Sequence, residues 1–295
     1  MNNNINGILL VNKPVGFTSR DVINKLNKHF HTKKMGHTGT LDPIASGVLI
    51  VCIGKYTKLV DHLTSLKKEY IAKVKLGYNT DTLDITGNIL NQKEIKSITN
   101  LDTILNSFLG NSMQQIPLYS AKKINGKKLY EYARENIEIE LPTKEIEISE
   151  IKLLEQKNDS FTFQTTVSKG TFIRSLIQDI CIKTNNFGTM EALTRTKQGN
   201  FVLEECYSLE SILNDNYKLL TLTDIFDYPV IEVDEEIITK VMNGNKLQFA
   251  LEDPFIILKK DKQIIALYQK HEDEYKIILV SVKKFGEIRK RKSKK

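Results

Sequence analysis

Gly36-His37-Thr38-Gly39-Thr40-Leu41-Asp42-Pro43-Ile44-Ala45-Ser46-Gly47 runs from a basic approach, Lys33 and Lys34, into the apolar stretch Val48 to Ile53. The glycines and Pro43 break any helical period here, so the segment reads as a loop. Six apolar residues in a row then read as a buried strand. Asp42 sits in the turn. Pro43 removes one backbone donor and biases Asp42 toward an extended conformation. On spacing alone this carboxylate reads two ways. It is an Asx-turn residue that bonds its own backbone, or a group placed for chemistry on a loop that a strand holds still.

Two common sites are excluded nearby. A P-loop needs GxxxxGK[ST], but Gly47 and Gly54 are too far apart and Lys55 is followed by Tyr56. His31 and His37 have no Cys or acidic residue at a metal-binding spacing, so no metal site is expected.

Upstream, Ile8 to Val11 reads as a short strand, closed by the turn Lys13-Pro14-Val15-Gly16-Phe17. Thr18 and Asp21 have the spacing of a capping box, and Val22, Ile23 and Leu26 give the helix that follows an apolar face. Downstream, Tyr56-Thr57-Lys58 leads into a helix, and Glu69 to Leu76 alternates as a half-buried strand. Ile95 to Phe108 reads as a helix, and Asn125-Gly126 as a tight turn among lysines and tyrosines. Ile146–Leu154 and Phe161–Val167 read as paired strands. Thr171 is expected to cap the helix carrying Ile173, Leu176, Ile177 and Ile180. Arg174 falls in that helix's first turn, where the helix dipole favours anions. A cation there is either a surface arginine or one with a specific carboxylate partner, for which Asp42 is the candidate. Arg195 reads as a phosphate contact or as a solvated edge. From Asp227 the texture changes to short strands around a brief helix, which suggests a small barrel.

The chain has 295 residues, 27% charged and 40% hydrophobic, with a formal net charge of +7. That suits a soluble globular protein with a polyanionic partner. The three cysteines have no CxxC spacing, which favours a reducing compartment over a disulfide framework. The N-terminus lacks the basic and apolar regions of a signal peptide, and no apolar run approaches a bilayer span.

GHTGTLDPxASGVL followed by GKYTK resembles the signature of the tRNA pseudouridine-55 synthase family, often called TruB. Other blocks stand in the same order: KPxGxTS from Lys13, QxPxxYSAxK from Gln114, GKKLYEYAR from Gly126, SKGTFIRS from Ser168 and LTRT from Leu193. Together they span Lys13 to about Lys197. The resemblance implies an α+β fold, with a pseudouridine synthase catalytic domain on a mixed, largely antiparallel sheet. That domain would cover 1–226, with a thumb-like insertion at about 124–152. A small C-terminal PUA-like β domain would follow at 227–289, then a basic tail at 290–295.

The resemblance also implies roles. Asp42 is the catalytic residue and Arg174 its partner. Tyr70 stacks on the target base, Leu193 lines the uracil pocket, and His37 helps hold the displaced nucleotide. Lys58 and Asp84 orient loops by ion pairing or hydrogen bonds. Phe172 departs from the family's usual Tyr: it keeps the flat apolar contact and loses the hydroxyl. The implied activity is isomerisation of uridine to pseudouridine at position 55 in the tRNA T-loop. It would be carried out by a cytoplasmic monomer whose partner is the T-stem-loop, with no cofactor, no metal and no membrane. Two other readings stay open: an RNA-folding chaperone without catalysis, and an RNA-guided relative of the same superfamily.

Overall fold

The apolar run after the Asp42 loop lies in the middle of a sheet. The computed structural model describes residues 5–135 and 137–281; the expected basic tail and residues 282–289 lie outside them. In the strand Ala45–Ile53 eight of nine residues are buried. Strand side chains alternate between faces, and the two sets go to different cores. Val48, Ile50 and Cys52 join Ile8 and Leu10 on one side. Leu49, Val51 and Ile53 join Leu9, Val11 and the apolar face of the helix Ser19–His29 on the other. That helix begins with the expected capping box between Thr18 and Asp21.

Ten strands form the main sheet. Its path runs Tyr207–Ser208, Gly7–Lys13, Ala45–Ile53, Gly188–Gln198, Lys68–Leu76, Ser160–Val167, Thr143–Gln156 and Gly110–Gln115. Met35–His37 adds to Ala45–Ile53, and Phe201–Val202 adds to Gly188–Gln198. Two pairings are parallel, Gly7–Lys13 with Tyr207–Ser208 and Ala45–Ile53 with Gly188–Gln198. The others are antiparallel, so the sheet is mixed and largely antiparallel, as expected. Gly47 makes the second parallel pairing possible. Its φ is 106°, and a Cβ there would come within 2.2 Å of the Arg195 carbonyl oxygen. Only glycine lets the two backbones approach this closely.

Two local expectations fail for identifiable reasons. The helix read over Ile95 to Phe108 spans only Leu101–Asn106. Before it, the Asn186 amide bonds both Lys96 N (2.8 Å) and Lys96 O (3.0 Å), which ties down backbone groups a helix would need. Thr171 does not cap the next helix; Phe172 is its N-cap residue, and Thr171 Oγ1 donates instead to Ser168 O at 3.0 Å. The stretch 124–152 divides in two. A hairpin turns through Asn125 and Gly126, both at positive φ, and leads to the helix Leu129–Arg134. From Thr143 onward the chain is a strand of the main sheet. A register shift between Ile148 and Glu150 brings Ile151 inward along with Ile146 and Ile148.

The C-terminal part forms a second sheet, in the order Val230–Glu232, Phe255–Lys260, Gln263–His271 and Glu274–Val280. It is a four-stranded sheet among the described residues, in keeping with the expected small C-terminal β domain, with the helix Glu235–Met242 beside it. Its Ile257, Leu267 and Leu279 share one core with Ile8, Leu10, Val48 and Ile50. Phe226, Tyr228 and Phe255 stack in sequence at 4.7 and 4.9 Å. The second sheet therefore covers apolar surface of the first. Truncation after Phe226 is expected to uncover that core and leave a chain without a cooperative melt by circular dichroism. Ile257→Ala is the graded version and should cost about 2–5 kcal/mol. An unchanged melting temperature in Ile257→Ala would show that the shared core does not carry stability. No helix among the described residues is long and apolar enough to cross a membrane.

Candidate active site

The loop 38–44 hangs between two strands that pair with each other, Met35–His37 and Ala45–Ile53. Buried polar side chains hold it from beneath. Ser19 Oγ accepts from Leu41 N at 2.9 Å. Arg195, fully buried, donates to the carbonyls of Gly39 and Thr40 at 3.2–3.3 Å. Gln198 donates to Thr38 O and Thr38 Oγ1. Arg195 is thus neither an edge residue nor exposed, because its strand lies between Ala45–Ile53 and Lys68–Leu76 in the sheet. Its guanidinium lies 5.5 Å from the Tyr70 ring centroid.

Asp42 projects from this loop to Arg174 across 132 residues of sequence. Arg174 Nε donates to Asp42 Oδ2 at 2.9 Å, and the terminal NH2 group donates to Oδ1 at 3.1 Å. The planar fork meets both carboxylate oxygens, which fixes the orientation of the acid as well as its distance. Arg174 also donates to Thr82 O at 2.8 Å and Tyr119 O at 3.0 Å. Its side chain is 7% exposed, while that of Asp42 is 32% exposed. The acid therefore keeps an open face, and the arginine does not. The pairing expected from the charge of the helix's first turn is present.

Asp84 acts one step away. Its Oδ1 accepts from Thr82 Oγ1 (3.0 Å), Thr86 N (2.9 Å) and Thr86 Oγ1 (2.5 Å). It orders the turn that presents Thr82 O to Arg174. Lys13, fully buried, donates to Pro14 O and Phe17 O, and burial lowers its pKa to about 8 although Asp42 pulls the other way.

A cavity of about 330 Å³ opens above Asp42. That lies at the small end of ligand pockets, about 300–1,000 Å³. Tyr70, Phe172, Ile173 and Leu193 supply apolar walls. Asp42 is the one carboxylate among the lining residues, against the cations Lys68, Lys122, Arg174 and Arg195. The Phe172 backbone is clamped on both sides by Gln114, whose Oε1 accepts from Phe172 N (2.8 Å) and whose Nε2 donates to Phe172 O (3.1 Å). Two buried polar atoms of lining residues, Ser120 Oγ and Arg195 Nε, lack a hydrogen-bond partner.

Of the residues expected at the site, the structure gathers Asp42, Tyr70, Phe172, Arg174 and Leu193 around this cavity. His37 does not line it. His37 accepts from Gly39 N at 3.4 Å, and burial, with Arg195 and Arg20 nearby, lowers its pKa. Lys58 is exposed and makes no ion pair or side-chain hydrogen bond among the described residues, so the loop-orienting contact expected of it is absent. The residues to which sequence reading gave no role at the site are Lys68, Gln114, Ser120 and Gln198. Each is a polar side chain buried beside the cavity or the loop beneath it, and burial is not legible from a single sequence.

A buried arginine grips a carboxylate beside an apolar-walled cavity on this mixed sheet, an arrangement fit for an enzyme site, and comparison with known proteins assigns the class. Residues 27–173 match the family model described as TruB family pseudouridylate synthase (N terminal domain). A protein of Oceanobacillus iheyensis named tRNA pseudouridine synthase B is 41% identical, over 94% of this chain and 97% of its own length. One of the same name from Mycoplasma mobile is 42% identical, over 87% and 88%. Among solved structures, a Cbf5-Nop10-Gar1 complex gives a TM-score of 0.67 at 23% identity, over 94% of this chain and 84% of that one, a likeness of fold. The chain belongs to the TruB family.

Proposed function

We propose that this protein isomerises uridine to pseudouridine at position 55, in the T-loop of tRNA. The observation that carries the reading is the bidentate Asp42–Arg174 pair, set in a cavity with apolar walls in a chain 41% identical to a tRNA pseudouridine synthase B. In the reaction the N1–C1′ bond breaks, the base turns, and C5 bonds to C1′. The C5 proton leaves to solvent and N1 gains one. The base must stay captive throughout, which suits a pocket with apolar walls better than an open groove.

In this reading Asp42 is the carboxylate that acts on the nucleotide, and Arg174 is its positioning partner. Tyr70 stacks on the base, with Leu193 and Phe172 as flanking walls. Phe172 has no hydroxyl and takes no part in proton transfer. The target uridine leaves its stack to reach the cavity. His37 and Lys58 contact RNA outside the cavity, and Asp84 secures the turn at Thr82. The portion 1–226 carries catalysis, its segment around 124–152 grips the stem-loop, and 227–289 adds RNA contact. The protein acts as a monomer in the cytoplasm.

Pseudouridine mapping on tRNA lacking the modification, incubated with and without the protein, tests reaction, substrate and position together. Conversion confined to position 55 is the expected result. Binding without any conversion would make the protein an RNA chaperone instead.

A further inference from the structure

Lys68 opens the strand that carries Tyr70, and it lines the same cavity. It is 6% exposed. Its Nζ donates to Thr64 O and Leu66 O, both at 2.8 Å. Both acceptors are neutral, and they occupy two of the three ammonium donors. Burial lowers the pKa of Lys68 to about 7, and the charges that add to this, Arg195, Lys144 and Lys169, are all positive. Lys144 lies nearer the surface, half-buried and outside the cavity lining. It donates to Lys169 O at 2.6 Å, and burial with Lys169 and Lys122 around it lowers its pKa. Its ammonium occupies the space that a side chain on Gly170 would fill. A buried cation that meets only neutral acceptors and other cations is costly to fold. Lys68 lines the cavity with Lys144 and Lys169 behind it, and a buried cation so placed is a candidate contact for an anion.

We propose that Lys68, backed by Lys144 and Lys169, binds a backbone phosphate next to the uridine that enters the cavity. The proposal rests on the function given above and adds a contact to it. The apolar walls accept the base and Asp42 faces the sugar, so a phosphate flanking that nucleotide must lie at the rim. There the free donor of Lys68 meets it. A phosphodiester supplies the missing negative charge, and Lys68 serves as a positioning residue that seats the displaced nucleotide.

The test is a cycle between one side chain and one phosphate. Full-length wild type and Lys68→Met bind T-stem-loop RNAs carrying a single uncharged methylphosphonate either 5′ or 3′ of the target uridine. A 2′-deoxy sugar protects that linkage, and the matched 2′-deoxy phosphate RNAs serve as references. Met keeps the stem of the side chain and loses the charge. Lys68→Met should bind the reference RNA about tenfold more weakly, with a salt slope lower by about one. At the engaged position methylphosphonate should cost wild type a similar factor and cost Lys68→Met almost nothing. Equal methylphosphonate losses in both proteins at both positions would overturn the proposal and leave Lys68 as a cap on the carbonyls of Thr64 and Leu66. If Lys68→Met fails to melt cooperatively, the pair Lys144→Gln and Lys169→Gln enters the same cycle with the same two readings. Conversion of the unmodified RNA by wild type is scored in parallel, so loss of the isomerase reading is seen separately from loss of the subsite.

Discussion

Asp42→Asn is expected to abolish pseudouridine formation, by more than about 10⁴-fold in single-turnover rate, while RNA affinity changes little. The amide has the carboxylate's shape but is no usable nucleophile or base. The structure adds a second consequence. Arg174 aims Nε and its terminal NH2 group at the two oxygens of Asp42. In the variant one of those oxygens becomes an NH2 group, and donor then faces donor. Arg174 is almost fully buried, so the mismatch is poorly relieved by solvent. A loss of about 1–3 kcal/mol in unfolding free energy should accompany the loss of rate. Filter binding, single-turnover assays and denaturant melts on one preparation separate the three effects. Turnover near the wild-type rate would remove Asp42 from the reaction.

Arg174→Lys should slow the reaction by about 10²-fold or more, although the charge is kept. The guanidinium makes four hydrogen bonds in three directions: to both Asp42 oxygens, to Thr82 O and to Tyr119 O. An ammonium gathers its donors at one point and cannot span these acceptors. Asp42 would lose its fixed orientation, and the turns at Thr82 and Tyr119 would lose their common anchor. The defect should appear in the rate at saturating RNA more than in affinity, because Arg174 lies beneath the carboxylate. A variant with wild-type rate would show that the orientation of Asp42 needs no bidentate partner.

Much of this was legible in the chain itself, because the information was local. Six apolar residues after a Gly- and Pro-broken loop placed a buried central strand, and Ala45–Ile53 is that strand. Thr18 and Asp21 marked a helix start through bonds spanning three residues. Arg174 announced a distant partner because its charge is wrong for a helix's first turn. The order of motif blocks supplied the family, and with it the residues that now surround the cavity.

Tertiary structure decided what depends on burial and on long-range contact. Arg195 read as an edge or phosphate contact, and it lies fully buried under the Asp42 loop because the sheet closes over it on both sides. Lys58 and Lys68 are alike as letters. One stands in solvent and the other beneath the cavity rim, because the strand's alternation turns Lys68 inward with Tyr70. The helix read over Ile95 to Phe108 lost its first turns to an asparagine 90 residues away. The texture change at Asp227 suggested a separable unit, yet Ile257, Leu267 and Leu279 fill a core that the first strands of the chain left open. A sequence states which side chains are apolar or charged. Which of them lose water, and beside what, is set only when strands far apart in the chain are brought into register.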